Sequence, residues 1–144
     1  MSGDAMEQQP TSSGEEMVAI CPVSSLTPDR GAAALLPDGT QVAVFLLEDG
    51  EVHAVQQYDP YSGTNILSRG LVGSHLLPTG DGVSSQVVPT LSSPMYKQSW
   101  SMTTGEVLDS GGGEDHPIAV YPAEVRDGDL HVGTSPLPRP EAAA

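Results

Sequence analysis

Residues 93–107 read SPMYKQSWSMTTGEV, and residues 116–125 read HPIAVYPAEV. In the first stretch, candidate strands at residues 97–102 and 107–108 flank a Thr-Thr-Gly-Glu turn. In the second stretch, apolar and polar residues alternate toward the end, which is typical of a strand with one buried face. Pro122 cannot donate to a β-ladder, so we expect it at a sheet edge or bulge. Both stretches therefore predict β structure.

The same pattern of short apolar runs and turns continues through the rest of the chain. Turns are predicted at residues 37–39 (Pro-Asp-Gly) and 48–51 (Glu-Asp-Gly-Glu). Residues 41–47 are apolar on both faces, which predicts a central strand. The further candidate strands lie at residues 17–21, 32–36, 52–56, 85–89 and 130–132.

Two long loops, at residues 57–71 and 76–84, interrupt the strands, and loops of this length in a small domain are usually functional or mobile. Only two short segments, residues 24–26 and 65–69, are candidate helices. The sequence therefore predicts an all-β domain, either a small sandwich or a barrel. The predicted organisation is a disordered tail at residues 1–16, one domain at residues 17–133 and a Pro- and Ala-rich tail at residues 134–144.

The composition excludes several classes of function. The 144 residues include 19 acidic and 5 basic side chains, so the net charge of −14 argues against nucleic acid or an anionic membrane as a ligand. A single cysteine, Cys21, excludes an internal disulfide and a four-cysteine metal site. No apolar run approaches the roughly 20 residues of a membrane span, and the N-terminus has no signal-like apolar region. We therefore expect a cytoplasmic protein.

The order of these elements resembles a Rieske-type [2Fe–2S] domain over residues 17–133. Such domains carry Cys-Pro-His in a first loop and Cys-Pro-x-His-Gly in a second loop, followed by a strand, a Thr-Gly turn and a Pro-Ile-x-x-Tyr-Pro strand. This chain keeps the loop prolines, Pro60 and Pro94, but has neither cysteine nor histidine at the ligand positions. Those four degenerate positions are Asp59, Tyr61, Ser93 and Tyr96.

Within that family, the chain is similar to the small subunits of assimilatory NAD(P)H-dependent nitrite reductases. The resemblance rests on Asp-Pro-Tyr at residues 59–61, Ile-Leu-Ser-Arg-Gly-Leu at 66–71 and Ser-Pro-x-x-Lys-Gln at 93–98, whereas residues 77–85 look like an insertion. It implies a Rieske-like sandwich or barrel that holds no metal, cofactor or catalytic residue. It also implies a large-subunit partner that carries FAD, an iron–sulfur cluster and sirohaem and reduces nitrite to ammonium.

Several alternatives stay open at this point. Arg69 is either a partner contact or a local salt-bridge or loop-capping donor, and Tyr61 and Tyr96 either pack in the former cluster space or use their hydroxyls in binding. The acidic surface either confers solubility or docks a partner. The rival function is a cluster-free interaction module for another oxidoreductase. An enzyme in its own right lacks an evident acid–base pair or nucleophile.

Overall fold

A computed structural model describes residues 16–95 and 97–138 of the chain. Strands dominate this part, and the helical residues there form two single 3-10 turns, Val23–Ser25 and Leu67–Arg69. The predicted all-β class is thus confirmed. The strands are β1 (Met17–Pro22), β2 (Gly31–Leu35), β3 (Gln41–Leu46), β4 (Val52–Gln56), β5 (Tyr58–Asp59), β6 (Thr64–Asn65), β7 (Leu71–Pro78), β8 (Ser85–Ser92), β9 (Ser99–Ser101), β10 (Val107–Asp109), β11 (Val120–Tyr121), β12 (Ala123–Arg126) and β13 (Asp129–Gly133).

The strands form three main antiparallel sheets and one two-stranded ribbon. Their orders are β1-β13-β12, β11-β4-β3-β2, β10-β9-β8-β7 and, for the ribbon, β5-β6. The β5-β6 ribbon and the 3-10 turn at Leu67–Arg69 lie within the predicted loop of residues 57–71. That segment therefore has local structure, but no element in it exceeds three residues.

Strand β3 is the centre of the core, as its two-sided apolar sequence predicts. Val42 and Val44 pack into one buried cluster with Tyr121. Ala43 and Phe45 face the opposite way and pack into a second cluster. Because both faces of β3 are covered, all four of these side chains are at most 1% exposed.

The prediction of a loop over residues 76–84 is partly wrong, because β7 and β8 form a hairpin with continuous register from Leu71↔Ser92 to Pro78↔Ser85. Only residues 79–84 connect the two strands. Six of the eight residues of β7 are exposed, so the strand lacks the apolar alternation by which a half-buried strand is recognised. The residues that look like an insertion therefore lengthen a hairpin.

The chain stays attached to the domain beyond residue 133. The amide of Thr134 donates to the Glu16 carbonyl at 2.9 Å, and the amide of Leu137 donates to the Val120 carbonyl at 2.7 Å. Of the tails predicted at residues 1–16 and 134–144, residues 1–15 and 139–144 lie outside the described residues. Within the described part, no helix is long and apolar enough to cross a membrane.

Candidate functional site

Two loops meet at one end of the domain, and they carry the degenerate ligand positions. The first loop leaves β5 at its last residue, Asp59, and the second follows β8 and starts at Ser93. Both side chains are buried, with exposed fractions of 0% for Asp59 and 5% for Ser93. The site is therefore an internal junction between the loops.

Asp59 joins the two loops through its carboxyl group. Its Oδ1 accepts hydrogen bonds from the backbone amides of Tyr61 at 2.9 Å and Ser62 at 3.3 Å, which shape the first loop. Its Oδ2 accepts a hydrogen bond from Ser93 Oγ at 2.7 Å. One buried side chain thus orders its own loop and fastens it to the second loop.

Ser93 has the corresponding role in the second loop. Its Oγ accepts a hydrogen bond from the Met95 amide at 3.1 Å while donating to Asp59. Its own amide donates to the Gln98 carbonyl at 2.8 Å, which closes the base of the loop. Both loops are therefore held by short-range hydrogen bonds and by the direct link between Ser93 and Asp59.

Tyr61 packs inward and fixes a third segment, residues 114–116. Its hydroxyl donates to the Glu114 carbonyl at 2.7 Å and accepts from the His116 amide at 2.9 Å. Its ring lies 5.9 Å from that of Trp100 and 5.0 Å, edge-on, from that of His116. Trp100 Nε1 in turn donates to the His116 carbonyl at 2.9 Å. The Tyr61 hydroxyl therefore has backbone partners on both sides.

Tyr96 lies outside the described residues, so its predicted packing against Tyr61 stays a prediction. The structure instead adds His116 and Gln57 to the site, and neither is among the predicted site residues. Gln57 is buried, and its Oε1 accepts the Ser68 amide at 2.7 Å. These partners lie 11 or more positions apart along the chain, so no local spacing marks them.

Arg69 ends the second 3-10 turn and is exposed. The turn is anchored by Leu67, which is fully buried, and by Gly70, where a Cβ would overlap the Ser92 carbonyl oxygen. This close approach places Arg69 beside the strand that leads into Ser93. Among the described residues, no carboxylate forms an ion pair with Arg69. The local salt-bridge alternative therefore has no support in this part of the chain.

The side chains at the described ligand positions do not fit an iron–sulfur cluster. A Rieske cluster needs two thiolates on one iron and two imidazoles on the other. Asp59, Tyr61 and Ser93 offer only oxygen atoms, which are poor ligands for sulfide-bridged iron, and these atoms are already hydrogen-bonded. Cys21 lies on β1, which pairs with β13 and belongs to a different sheet from the strands that lead into the two loops. No cluster of three His, Cys, Asp or Glu side chains suitable for a metal occurs within the described ranges.

The sequence and the fold of this chain match known proteins. The family model of the Rieske-like [2Fe-2S] domain matches residues 16–133. The chain is 31% identical to the NADH nitrite reductase small subunit of Escherichia coli K12 over 110 residues, covering 76% of this chain and 89% of that protein. It also matches a solved NADH-dependent nitrite reductase small subunit from Mycobacterium tuberculosis, with a TM-score of 0.70, 36% identity and coverage of 84% and 96%.

A further relative is much longer than this chain. The large subunit of the NAD(P)H nitrite reductase of Klebsiella oxytoca is 30% identical over 133 residues, which is 92% of this chain. The chain spans only 12% of that protein's length. A domain similar to this chain is therefore part of a large-subunit polypeptide in that organism.

Proposed function

Because the chain belongs to the family of Rieske-like [2Fe-2S] domains, and within it to the nitrite reductase small subunits, we propose that it is a non-catalytic, accessory subunit of an assimilatory nitrite reductase. The enzyme reduces nitrite to ammonium with NAD(P)H in the cytoplasm. The large subunit carries FAD, an iron–sulfur cluster and sirohaem. This chain supplies no redox group and supports the large subunit by binding to it.

The Asp59–Ser93 hydrogen bond is the observation that carries this proposal. It joins the two loops at the positions where a Rieske domain holds its cluster, with the two oxygen atoms 2.7 Å apart. The loop architecture is thus retained while the ligand chemistry has changed. Such a domain keeps the fold of an electron carrier, and we propose that its role is to bind the large subunit.

The Klebsiella relative supports the choice of partner. There a domain similar to 92% of this chain forms part of the large-subunit polypeptide. A covalent connection raises the effective concentration of two domains for each other, which favours a contact between them. We therefore expect this chain to contact the large subunit in the same way, but by non-covalent binding.

We also propose that Arg69 contacts the large subunit. It is exposed, it has no ion-pair partner among the described residues, and the 3-10 turn that carries it is anchored by buried Leu67. A cation held on a rigid support loses little conformational freedom when it binds a carboxylate on another protein. Arg69 therefore suits a partner contact at the loop end of the domain.

Co-purification tests both proposals. The tagged full-length chain, expressed in its own cells, is expected to retain a large protein with flavin and sirohaem absorption. Arg69→Ala is expected to reduce this retention by about tenfold, the equivalent of about 1.4 kcal/mol, with an unchanged melting temperature. Arg126→Ala is the matched control, because Arg126 is also exposed but is paired with Glu124.

Two outcomes would contradict these proposals separately. Retention of an unrelated oxygenase in place of a sirohaem protein would favour the rival role as an interaction module. A loss of thermal stability in Arg69→Ala that matches its loss of binding would instead give Arg69 a structural role.

A further inference from the structure

Strand β7 forms an exposed edge of the sheet β10-β9-β8-β7. It is eight residues long and pairs with β8 on one side. Its sequence, LVGSHLLP, contains no Asp, Glu, Lys or Arg, although edge strands are usually protected by charged side chains, bulges or covering loops. Among the described residues, no other segment hydrogen-bonds to its outer side. The edge is therefore open to a further strand.

The hydrogen-bond pattern identifies the backbone groups that point outward. The Ser93 amide donates to the Gln98 carbonyl, and the Met102 amide donates to the Pro89 carbonyl, so odd-numbered residues of β8 bond toward β9. In an antiparallel sheet successive residues bond to opposite neighbours, so even-numbered residues of β8 bond to the odd-numbered residues of β7. The outward-facing amides of β7 are therefore those of Val72, Ser74 and Leu76.

An acidic groove lies beside this edge. It has a volume of about 480 Å³ and runs between the β7-β8 hairpin, at Val72 and Ser74, and the turn that joins β3 to β4. No Lys or Arg is among its described lining residues, and Val87 adds an apolar wall that is 66% exposed. The carboxylates on its opposite side are those of Asp29, Glu48, Asp49 and Glu51.

The edge and the groove together define the chemistry of an occupant. A strand added to β7 would direct every second side chain over the face that carries Val72 and Ser74, which is the groove side. Lys or Arg at those positions would lie near these acidic residues, of which Glu51 is already paired with His53 at 3.0 Å. Their alkyl stems would cover Val87. A second copy of this chain is disfavoured, because each copy brings a net charge of −14.

We propose that β7 binds an extended, Lys- or Arg-bearing segment of the large subunit by strand addition, with its cationic side chains in the groove. The inference rests on the proposed function for the source of that segment. Arg69 precedes β7 by two positions, so the two proposed contacts are adjacent along the chain. Main-chain hydrogen bonds supply affinity in this mode of binding, and the groove supplies specificity.

Hydrogen exchange on the wild-type protein tests the strand addition directly. In the free chain, the amides of Val72, Ser74 and Leu76 are expected to exchange rapidly, while those of Gly73 and His75 are protected. In the complex with the co-expressed large subunit, the first three are expected to become at least about tenfold slower, since each gains a main-chain partner. Mass spectrometry with single-residue fragmentation resolves the alternation.

A charge reversal tests the groove. Glu48→Lys is expected to weaken binding to the large subunit by about tenfold or more, because like charges placed together across an interface are strongly unfavourable. Glu106→Lys is the matched control, since Glu106 is exposed at the β9-β10 turn beside the opposite edge of the sheet. The affinity of this variant for the large subunit is expected to change by less than about twofold.

The outcomes separate this inference from the proposed function. If the three amides still exchange rapidly in the wild-type complex, the strand addition is overturned. If Glu48→Lys binds the large subunit as tightly as the wild type, the groove contact is overturned. Both results leave the proposed function intact. Failure of the wild-type chain to bind any sirohaem protein would contradict the proposed function itself.

Discussion

Asp59 occupies a position that holds a cluster ligand in Rieske domains, and its carboxyl group here has a structural role. Its carboxyl group has no solvent exposure, so each of its oxygens must find a donor within the protein. Two backbone amides and one hydroxyl provide those donors. Aspartate is the residue type that favours such local bonds in turns. The stability of the loop end thus depends on a few short hydrogen bonds.

Ser93→Ala tests this dependence. Removing the hydroxyl leaves Asp59 Oδ2 buried without its serine donor, so we expect a loss of about 1.5–3 kcal/mol in the free energy of unfolding. Urea unfolding of the full chain measures it. Ser92→Ala, one position earlier on β8, is the control and is expected to change stability by less than about 0.5 kcal/mol. Equal stability of the two variants would show that the Asp59–Ser93 bond contributes nothing net.

The turn at the tip of the β7-β8 hairpin depends on one aspartate. Asp81 Oδ1 accepts hydrogen bonds from the amides of Ser84 at 2.7 Å and Val83 at 2.8 Å, and from Thr79 Oγ1 at 3.1 Å. These bonds favour the charged form and hold the pKa of Asp81 well below its ordinary value of 3.8, with the Ser84 amide as the largest cause. The turn is therefore most stable when Asp81 is ionised.

The lowered pKa of Asp81 gives a pH dependence of defined sign. The stabilisation is complete above the ordinary pKa of 3.8 and is lost as the pH falls toward the lowered pKa. A carbon-detected NMR titration of the Asp81 carboxyl group is expected to show its midpoint below 3.8. Asp81→Ala is expected to shift the Val83 and Ser84 amide resonances, and Asp115→Ala serves as the control. A midpoint at or above the ordinary value would contradict the hydrogen-bonded turn.

The elements also show which sequence signals predict structure and which do not. The two-sided apolar run at residues 41–47 correctly predicts a central strand, because burial on both faces requires such a run. Strand β7 is missed because it is exposed on most of its length, so no apolar alternation identifies it. Strand β7 is recognised only by its hydrogen-bonded pairing with β8. Such pairing between separate segments is not visible in a local window of sequence.

The same limit applies to the site. Asp59 and Ser93 are predicted as loop positions from the resemblance, but their direct bond joins residues 34 positions apart. Tyr61 is a further case, because its hydroxyl partners lie 53 and 55 positions away. Residue types at motif positions are thus predictable from sequence, whereas their partners depend on how the sheets bring distant loops together.

The chain combines a Rieske-like fold with a net charge of −14. We predict that the purified full-length protein is colourless, because the described ligand positions offer oxygen atoms where a cluster requires thiolate and imidazole. Anaerobic incubation with iron and sulfide, in parallel with a cluster-binding Rieske ferredoxin, checks this after desalting. Iron and sulfide retained in stoichiometric amounts by this chain would show that the prediction is wrong.

The bond between Asp59 and Ser93 also has a consequence for how the protein matures in the cell. The atoms that close the loop end all belong to the polypeptide, so this closure requires no delivery of iron or sulfide by assembly factors. The formation of this hydrogen bond consumes neither iron nor sulfide. The loop end can therefore reach its native hydrogen bonding as soon as the polypeptide folds.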